Sequence, residues 1–434
     1  MNVAIAGLWH LGTVTAGCLA SAGQSVIAFD ADANLICNLR AMRLPVEEPL
    51  LQQYIAAAVQ ARHLHFTSEP RAIADCDILW VCYDTPIDDN DVADSEFVLR
   101  QIISLLPQLR QDAIVLISSQ MPVGSTARLE EYCALHFASR RIAFAYSPEN
   151  LRLGNAIEAF TKPDRVVVGV RSSHDRDRLV PLWAPFTDRL IWMSVESAEM
   201  TKHALNGFLA TSVAFINEIA VLCEKLGVDA VDIERGLKSD ERIGNRAYLH
   251  AGGAFSGGTL ARDLVFLQEL ASRKQEPVPL LNGVKQSNDY HRNWLPRRLT
   301  EEFHSLKDKT IAVLGLTYKP HTNTLRRSNA LEICRWLSEQ GAIVRAYDPA
   351  IQSLPPDLLG TVDLRNCIED TLKDASAVLI TTPWPEFRRL TAANLVAAMK
   401  EPYVFDPFRH TEANLAVDQR IVYFAIGRCN EANA

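Results

Sequence analysis

The sequence predicts an α/β fold of two Rossmann-like doubly wound parallel-sheet domains, joined by a long central helix and a small helical domain. Three observations carry this expectation. The chain opens with a short apolar strand from Val3 to Ala6, a glycine turn, a small-residue helix reaching Ala22, and a second strand ending at Asp30, which together make a βαβ unit. The same pattern returns as TIAVLGLTYKPHT from Thr310, a helical stretch from Asn329 to Gln340, and AIVRAYDP, where Asp348 ends a strand. Between the two, SVESAEMTKHALNGFLATSVAFINEIAVLCEKLG runs without proline and stops at Gly227, as an unbroken helix with a glycine terminator does. The expected domains are 1–194, 195–305 and 306–434.

The remaining elements follow in order. Apolar runs predict strands at Asp77 to Cys82, Ala113 to Ser118, Ile142 to Tyr146 and Arg165 to Val170, and the first three end in the loops YDTP, SSQMPVGS and SPEN. Loops at the carboxyl ends of parallel strands are where such sheets bind ligands. Beyond the central helix, DERIG (Asp240 to Gly244) and the glycine-rich FSGGTLARD (Phe255 to Asp263) precede a break at Glu276 to Pro279 and one helical stretch from Leu280 to about Ser305. AVLITTPWPEF and PYVFDPF supply later strands. Strands alternating with helices imply parallel sheets with right-handed crossovers in both halves.

Composition narrows the function. With 434 residues, 48% of them apolar, and a net charge of −8, the chain can bury several cores and is a poor match for a nucleic acid. Nine cysteines are scattered without paired short spacings, so reduced core residues are expected, with neither a metal site nor a disulfide framework. The N-terminus lacks a basic region and a cleavage pattern, and no run approaches the roughly eighteen apolar residues of a membrane span; a cytoplasmic protein acting on small molecules is expected.

Two stretches carry candidate chemistry. In the first turn, Gly7 and Gly12 are the outer glycines of a dinucleotide fingerprint, with Trp9, His10 and Leu11 between them and Asp30 closing the next strand. That arrangement puts a pyrophosphate at a helix N-terminus and a carboxylate on the ribose hydroxyls. A carboxylate there repels a ribose 2′-phosphate, so NAD is the expected cofactor. Trp9 occupies the position of the middle glycine, so its indole must swing aside or stack on the cofactor. On the central helix, steps of three and four residues align Glu199, Lys202, Asn206, Val213 and Asn217, giving a polar side where a buried helix should be apolar. A lysine beside an alcohol can polarise it or take its proton as hydride leaves.

With these pieces in order, the chain resembles the UDP-glucose/GDP-mannose dehydrogenase family over nearly its whole length. The resemblance rests on the opening βαβ unit, PVEEP at Pro45, Thr85-Pro86, PVGS at Pro122, SPENLRLG at Ser147, PDRVVVG at Pro163, AEMTKHALNGFLA, FINE at Phe215, ERIG, GLTYKP and DPA. It implies oxidation of the C6 alcohol of a nucleotide sugar by NAD, in two steps, with a cysteine holding the aldehyde as a thiohemiacetal and then a thioester. It also implies roles: Lys202 and Asn206 poise the alcohol and a water, Glu149 is a general base for water, and Asp263 closes the glycine-rich loop. Thr85, Pro86 and Gln120 fall beside the cofactor, and Tyr248, Gly257, Lys319 and Arg326 beside the substrate. Arg242 reaches a partner subunit's substrate, so at least a homodimer is implied.

The chain departs from the family at the chemistry. The catalytic cysteine falls on Thr259, Arg262 replaces a lysine, Gln120 a threonine and Leu153 a glutamate. An aliphatic hydroxyl is a far poorer nucleophile than a thiol. The expected function is therefore an NAD-dependent nucleotide-sugar dehydrogenase that stops at hydride transfer and yields an aldehyde. Two alternatives stand beside it: a catalytically inactive nucleotide-sugar-binding homologue with a regulatory or scaffolding role, and full oxidation to a uronate by a cysteine-independent route.

Overall fold

The computed structural model describes residues 1–86, 88, 93–149, 151, 153–255, 259–325 and 328–428. The chain forms two compact units, Met1–Leu205 with Val265–Lys274, and Asn206–Leu264 with Gln275–Ala434.

The first unit is built on an eight-stranded sheet of β1 (Asn2–Ala6), β2 (Ser25–Phe29), β3 (Leu64–Thr67), β4 (Ile78–Val81), β5 (Ile114–Ile117), β6 (Ala143–Tyr146), β7 (Val166–Gly169) and β8 (Leu190–Met193). Its order is β3-β2-β1-β4-β5-β6-β7-β8. The central strands are apolar throughout, ILWV in β4 and IVLI in β5, because helices cover both faces of the sheet. Alternation sorts them: Val3 and Ile5 join one buried cluster, Ala4 and Ala6 the other. All pairings are parallel except β6 with β7, which meet antiparallel at Tyr146 and Gly169. This corrects the expectation of a purely parallel first sheet. Gly169 is needed at that junction, since a Cβ there would sit 2.7 Å from the Val195 Cα.

The second unit repeats the plan with β9 (Thr310–Leu314), β10 (Ile343–Tyr347), β11 (Val362–Leu364), β12 (Ala377–Ile380), β13 (Tyr403–Phe405) and β14 (Val422–Phe424). Its order is β11-β10-β9-β12-β13-β14, every pairing parallel. This is the order of the first six strands of the other sheet. The strands unannounced by the sequence, β3, β8, β11 and β14, are three or four residues long and peripheral in their sheets, so pairing with a neighbour defines them more than their own composition does.

The central helix is unbroken from Val195 to Leu226, 32 residues. By length and composition alone it is apolar enough to cross a membrane, although Glu199, Lys202, Asn206, Asn217 and Glu218 interrupt its apolar residues. Averaging hides the polar stripe: Glu199, Lys202, His203, Asn206 and Asn217 on this helix are all buried, and buried polar groups need partners. The helical stretch expected from Leu280 to Ser305 is two helices, Pro279–Arg292 and Trp294–Phe303, with Asn293 between them. Pro296 lacks the amide that would bond back to Arg292 and its ring crowds that carbonyl, so the first helix cannot continue.

Candidate active site

The first unit presents a dinucleotide turn at the carboxyl end of β1. Gly7 has φ +91, and a Cβ on it would lie 2.7 Å from the Tyr83 backbone. The Leu8 amide donates to Asp30 Oδ2 at 2.8 Å, and Asp30 Oδ1 accepts from the Asp32 amide at 3.0 Å. The helix His10–Ser21 then begins with no side chain capping it, which leaves first-turn amides available for an anion. Gly12 has no freedom to change: a Cβ would fall 1.8 Å from the Gly7 carbonyl oxygen. Trp9 sits at the cap with φ −81, so the backbone does not require glycine there. Trp9 is 51% exposed and its indole meets the His10 ring edge-on. The structure thus fits NAD by its Gly12 cradle, its uncapped helix and its half-buried carboxylate.

Around this turn, His10 Nε2 lies 2.9 Å from Glu48 Oε2, and the buried Glu48 carboxylate also accepts from the Gly154 and Ala156 amides at 2.8 Å. Glu48 therefore ties the turn to the segment that follows Glu149, a link the PVEEP stretch did not reveal. Leu11 is half-buried against the apolar cluster. The Thr85 hydroxyl donates to the Gln120 carbonyl at 2.6 Å; both residues are buried, and Pro86 is exposed.

The first-unit end of the central helix holds the lysine. Lys202, 6% exposed, donates from Nζ to the Glu149 carbonyl at 2.6 Å and lies 3.3 Å from Glu149 Oε1. The other carboxylate oxygen of Glu149 accepts from the Leu151 amide at 2.8 Å, which fixes the group against the amine. One turn earlier, Glu199 accepts from the amides of Gly124 and Thr126 and from the Thr126 hydroxyl. It thereby caps the helix Ser125–His136, whose own cap residue is glycine.

The second unit holds the other candidate cluster. Asn206 Nδ2 donates to Asp263 Oδ2, and both side chains are buried. Asp263 lies in the first turn of the helix Leu260–Arg273. Thr259, just before it, is exposed, whereas Gly257 and Arg326 lie outside the described residues. Arg242 is bonded to its neighbour Asp240 and its side chain is 89% exposed. That pairing draws the Asp240 carboxyl below its usual range. Tyr248 is exposed and Lys319 half-buried.

The turn after β9 is built like the first but filled differently. Gly315 has φ +95, and a Cβ there would press on Thr382 at 2.5 Å. Asp348 Oδ2 accepts from the Leu316 and Thr317 amides, the Thr317 hydroxyl and the Trp384 indole N–H at 2.6 to 3.1 Å.

Six of the described cysteines are made less acidic by burial. Burial pushes the thiols of Cys18, Cys76 and Cys334 up to about 12, and raises those of Cys82, Cys133 and Cys223. Cys37 is the exposed exception to the expected core cysteines.

A glycine-cradled, uncapped helix above one such sheet, a second sheet of the same order and buried lysine, asparagine and aspartate side chains define an NAD-dependent dehydrogenase of the two-Rossmann-domain kind. Residues 1–187 match the NAD binding domain of the UDP-glucose/GDP-mannose dehydrogenase family, 196–290 its central domain and 312–413 its UDP binding domain. The chain belongs to that family. It is 31% identical to the UDP-glucose 6-dehydrogenase of Pseudomonas aeruginosa over 443 residues, covering 99% of this chain and 98% of that protein. It is 32% identical to the UDP-glucose 6-dehydrogenase TuaD of Bacillus subtilis, covering 98% and 93%. The structure of a UDP-glucose dehydrogenase from Pyrobaculum islandicum superimposes with TM-score 0.88 at 26% identity, covering 99% and 98%. The protein is accordingly an NAD-dependent oxidoreductase of the nucleotide-sugar dehydrogenase class.

Proposed function

We propose that this chain oxidises the C6 alcohol of a UDP-sugar with NAD and stops at the aldehyde. The single observation that carries the proposal is Thr259, an exposed hydroxyl at the position where the resemblance puts the thioester-forming cysteine. When bound, NAD supplies the two-electron acceptor. Lys202 takes the hydroxyl proton as C6 gives up its hydride, and the carbon–oxygen double bond of the aldehyde forms. The Glu149 carbonyl and carboxylate orient the lysine amine for this step. Asn206, fixed by Asp263, donates to the substrate oxygen, and Thr259 binds the sugar without forming a covalent bond to it. Gly7, Trp9, His10, Leu11, Gly12, Asp30, Thr85, Pro86 and Gln120 surround the cofactor; Tyr248, Gly257, Lys319 and Arg326 bind substrate.

The functional domains remain 1–194, 195–305 and 306–434 in this reading, acting in the cytoplasm as a homodimer or higher homo-oligomer. Two features of the second unit support the dimer. Phe208, Phe215 and Leu222, seven residues apart on the central helix, are 69%, 47% and 56% exposed, an apolar stripe of the kind a second helix covers. Arg242, paired with its neighbour Asp240, holds its side chain in solvent, where a neighbouring subunit's substrate can meet it.

The test is stoichiometry. Purified protein with NAD and UDP-glucose, UDP-N-acetylglucosamine or UDP-N-acetylgalactosamine should release one NADH per sugar, with an aldehyde or its hydrate found by mass. Two NADH and a uronate would refute the single-step reading and favour the cysteine-independent acid route. Sugar-nucleotide binding with neither NAD binding nor NADH release would favour the inactive homologue.

A further inference from the structure

The segment Gly252–Phe255 precedes Thr259 and Asp263 in the chain, and its two glycines offer little for packing to hold. A Cβ on Gly252 would meet nothing within 4 Å, and Gly253 lies within reach of only the Phe408 ring. Its backbone is gripped instead. The Gly252 amide donates to Asn217 Oδ1 at 3.0 Å, and the Gly252 carbonyl accepts from His291 Nε2 at 2.8 Å. Asn288 takes both backbone groups of Phe255, accepting from its amide and donating to its carbonyl, each at 2.9 Å. Asn217 is fully buried, Asn288 is 6% and His291 4% exposed. Asn288 and His291 stand three residues apart on the helix Pro279–Arg292, hence on one face.

Packing alone does not call for these residue types. Phe255 and Leu260 pack against an apolar cluster of Ala210, Ala214, Leu264 and Val284, and three buried polar side chains bonded to this segment need a reason. Asn217 Nδ2 has no hydrogen-bond partner among the described residues, an arrangement that disfavours the fold. Its oxygen, bonded to Gly252, is what the asparagine provides. Downstream of the turn, Asp263 is held by Asn206. Gly252–Phe255 and Asp263 are thus both held by polar side chains of helices within this unit.

We infer that Asn288, His291 and Asn217 are positioning residues that set the register of the glycine-rich turn, and through it the placement of Thr259 and Asp263 against the substrate. The inference rests on the proposed role of Thr259 and Asp263, and its test separates the two. Amide exchange of residues 252–263 by mass spectrometry, together with steady-state kinetics on UDP-glucose and NAD, is measured for wild type, Asn288→Ala, His291→Ala and His291→Gln. Expected are exchange at least about tenfold faster in 252–263 for both alanine variants, and kcat per folded molecule lower by about tenfold or more. The KM for NAD should stay unchanged, and His291→Gln, which keeps a donor of similar reach, should restore most of the loss. Unchanged exchange in either alanine variant overturns the clamp. Faster exchange with unchanged kcat leaves a purely structural anchor and overturns the positioning role. A wild type that releases no NADH from any UDP-sugar sinks the catalytic reading itself, while the exchange arm still decides whether the clamp exists. Should Asn288→Ala fail to fold, the His291 pair carries the comparison.

Discussion

The two sheets share one strand order and one turn, yet they treat the same carboxylate in opposite ways. In both units a glycine at φ above +90 ends the first strand, and the next residue's amide bonds an aspartate at the end of the second strand: Gly7, Leu8 and Asp30 in one, Gly315, Leu316 and Asp348 in the other. Asp30 is half-buried and accepts from two backbone amides, those of Leu8 and Asp32. Asp348 is 3% exposed and enclosed by the Thr317 hydroxyl and the Trp384 indole as well as backbone. The helix also follows differently. It starts at His10 directly after the first turn, but at Asn329 in the second unit. A shared sheet therefore makes a dinucleotide site only where helix amides meet the turn and the carboxylate keeps lone pairs for a ribose. In the second unit the carboxylate is spent on the fold.

The largest effect that can break this comparison is at Gly12. Gly12→Ala places a Cβ against the Gly7 carbonyl, so NAD affinity measured by calorimetry should fall by about a hundredfold or more, a loss on the order of 3 kcal/mol. NAD binding retained within a few-fold would remove the cradle from the cofactor site.

Next is the aspartate pair. Asp30→Asn should weaken NAD by roughly tenfold, about 1.4 kcal/mol, with little change in unfolding midpoint. Asp348→Asn should destabilise the protein by about 2–4 kcal/mol in urea unfolding, because the buried donors lose a charged acceptor and the new amide NH2 faces either them or the Ala350 N–H, and leave NAD affinity unchanged. Exchanged outcomes would mean that the carboxylates have been given the wrong jobs.

A smaller effect separates the units by pH. Burial in the second unit pushes His291 below the ordinary histidine range, with Arg297 adding to the fall and the Gly252 carbonyl opposing it. The unfolded chain therefore binds the proton more readily than the folded one. The stabilisation is present above about pH 6.5 and is lost as pH falls toward the folded value, with a slope of at most about 1.4 kcal/mol per pH unit. Urea midpoints for wild type should drop across that range more steeply than those of His291→Gln; parallel curves would rule out His291 as the source.

The smallest lies back in the first unit. Leu50 holds φ +68 and is 54% exposed, so its strained backbone is not offset by burial. Leu50→Gly should stabilise the protein by about 0.5–1 kcal/mol, and a lower melting temperature would show that the leucine side chain contributes more than its exposure suggests.

Much of the frame was legible in the residues. The βαβ repeats, the central helix and its polar stripe all follow from periodicity, glycine placement and the absence of proline. The partners of the stripe were less so. Lys202 was readable as chemistry, but its contact with the Glu149 carbonyl joins residues 53 apart in sequence. Glu48 sits in a segment that looks like a proline-bounded loop, yet it binds His10 and two amides beyond residue 150. Asn288 and His291 gave no signal, since polar residues at helical spacing look the same whether solvated or clamping a backbone.

By itself the sequence determined the two sheets and the glycines their turns require, because strand and helix periods and the steric demands of backbone are local properties. The antiparallel join of β6 to β7, the enclosure of Asp348 and the grip on Gly252 to Phe255 were decided only in the tertiary structure. Each depends on which distant donor or acceptor arrives beside a buried polar group, and burial makes that pairing necessary without saying in advance which residue will meet the need.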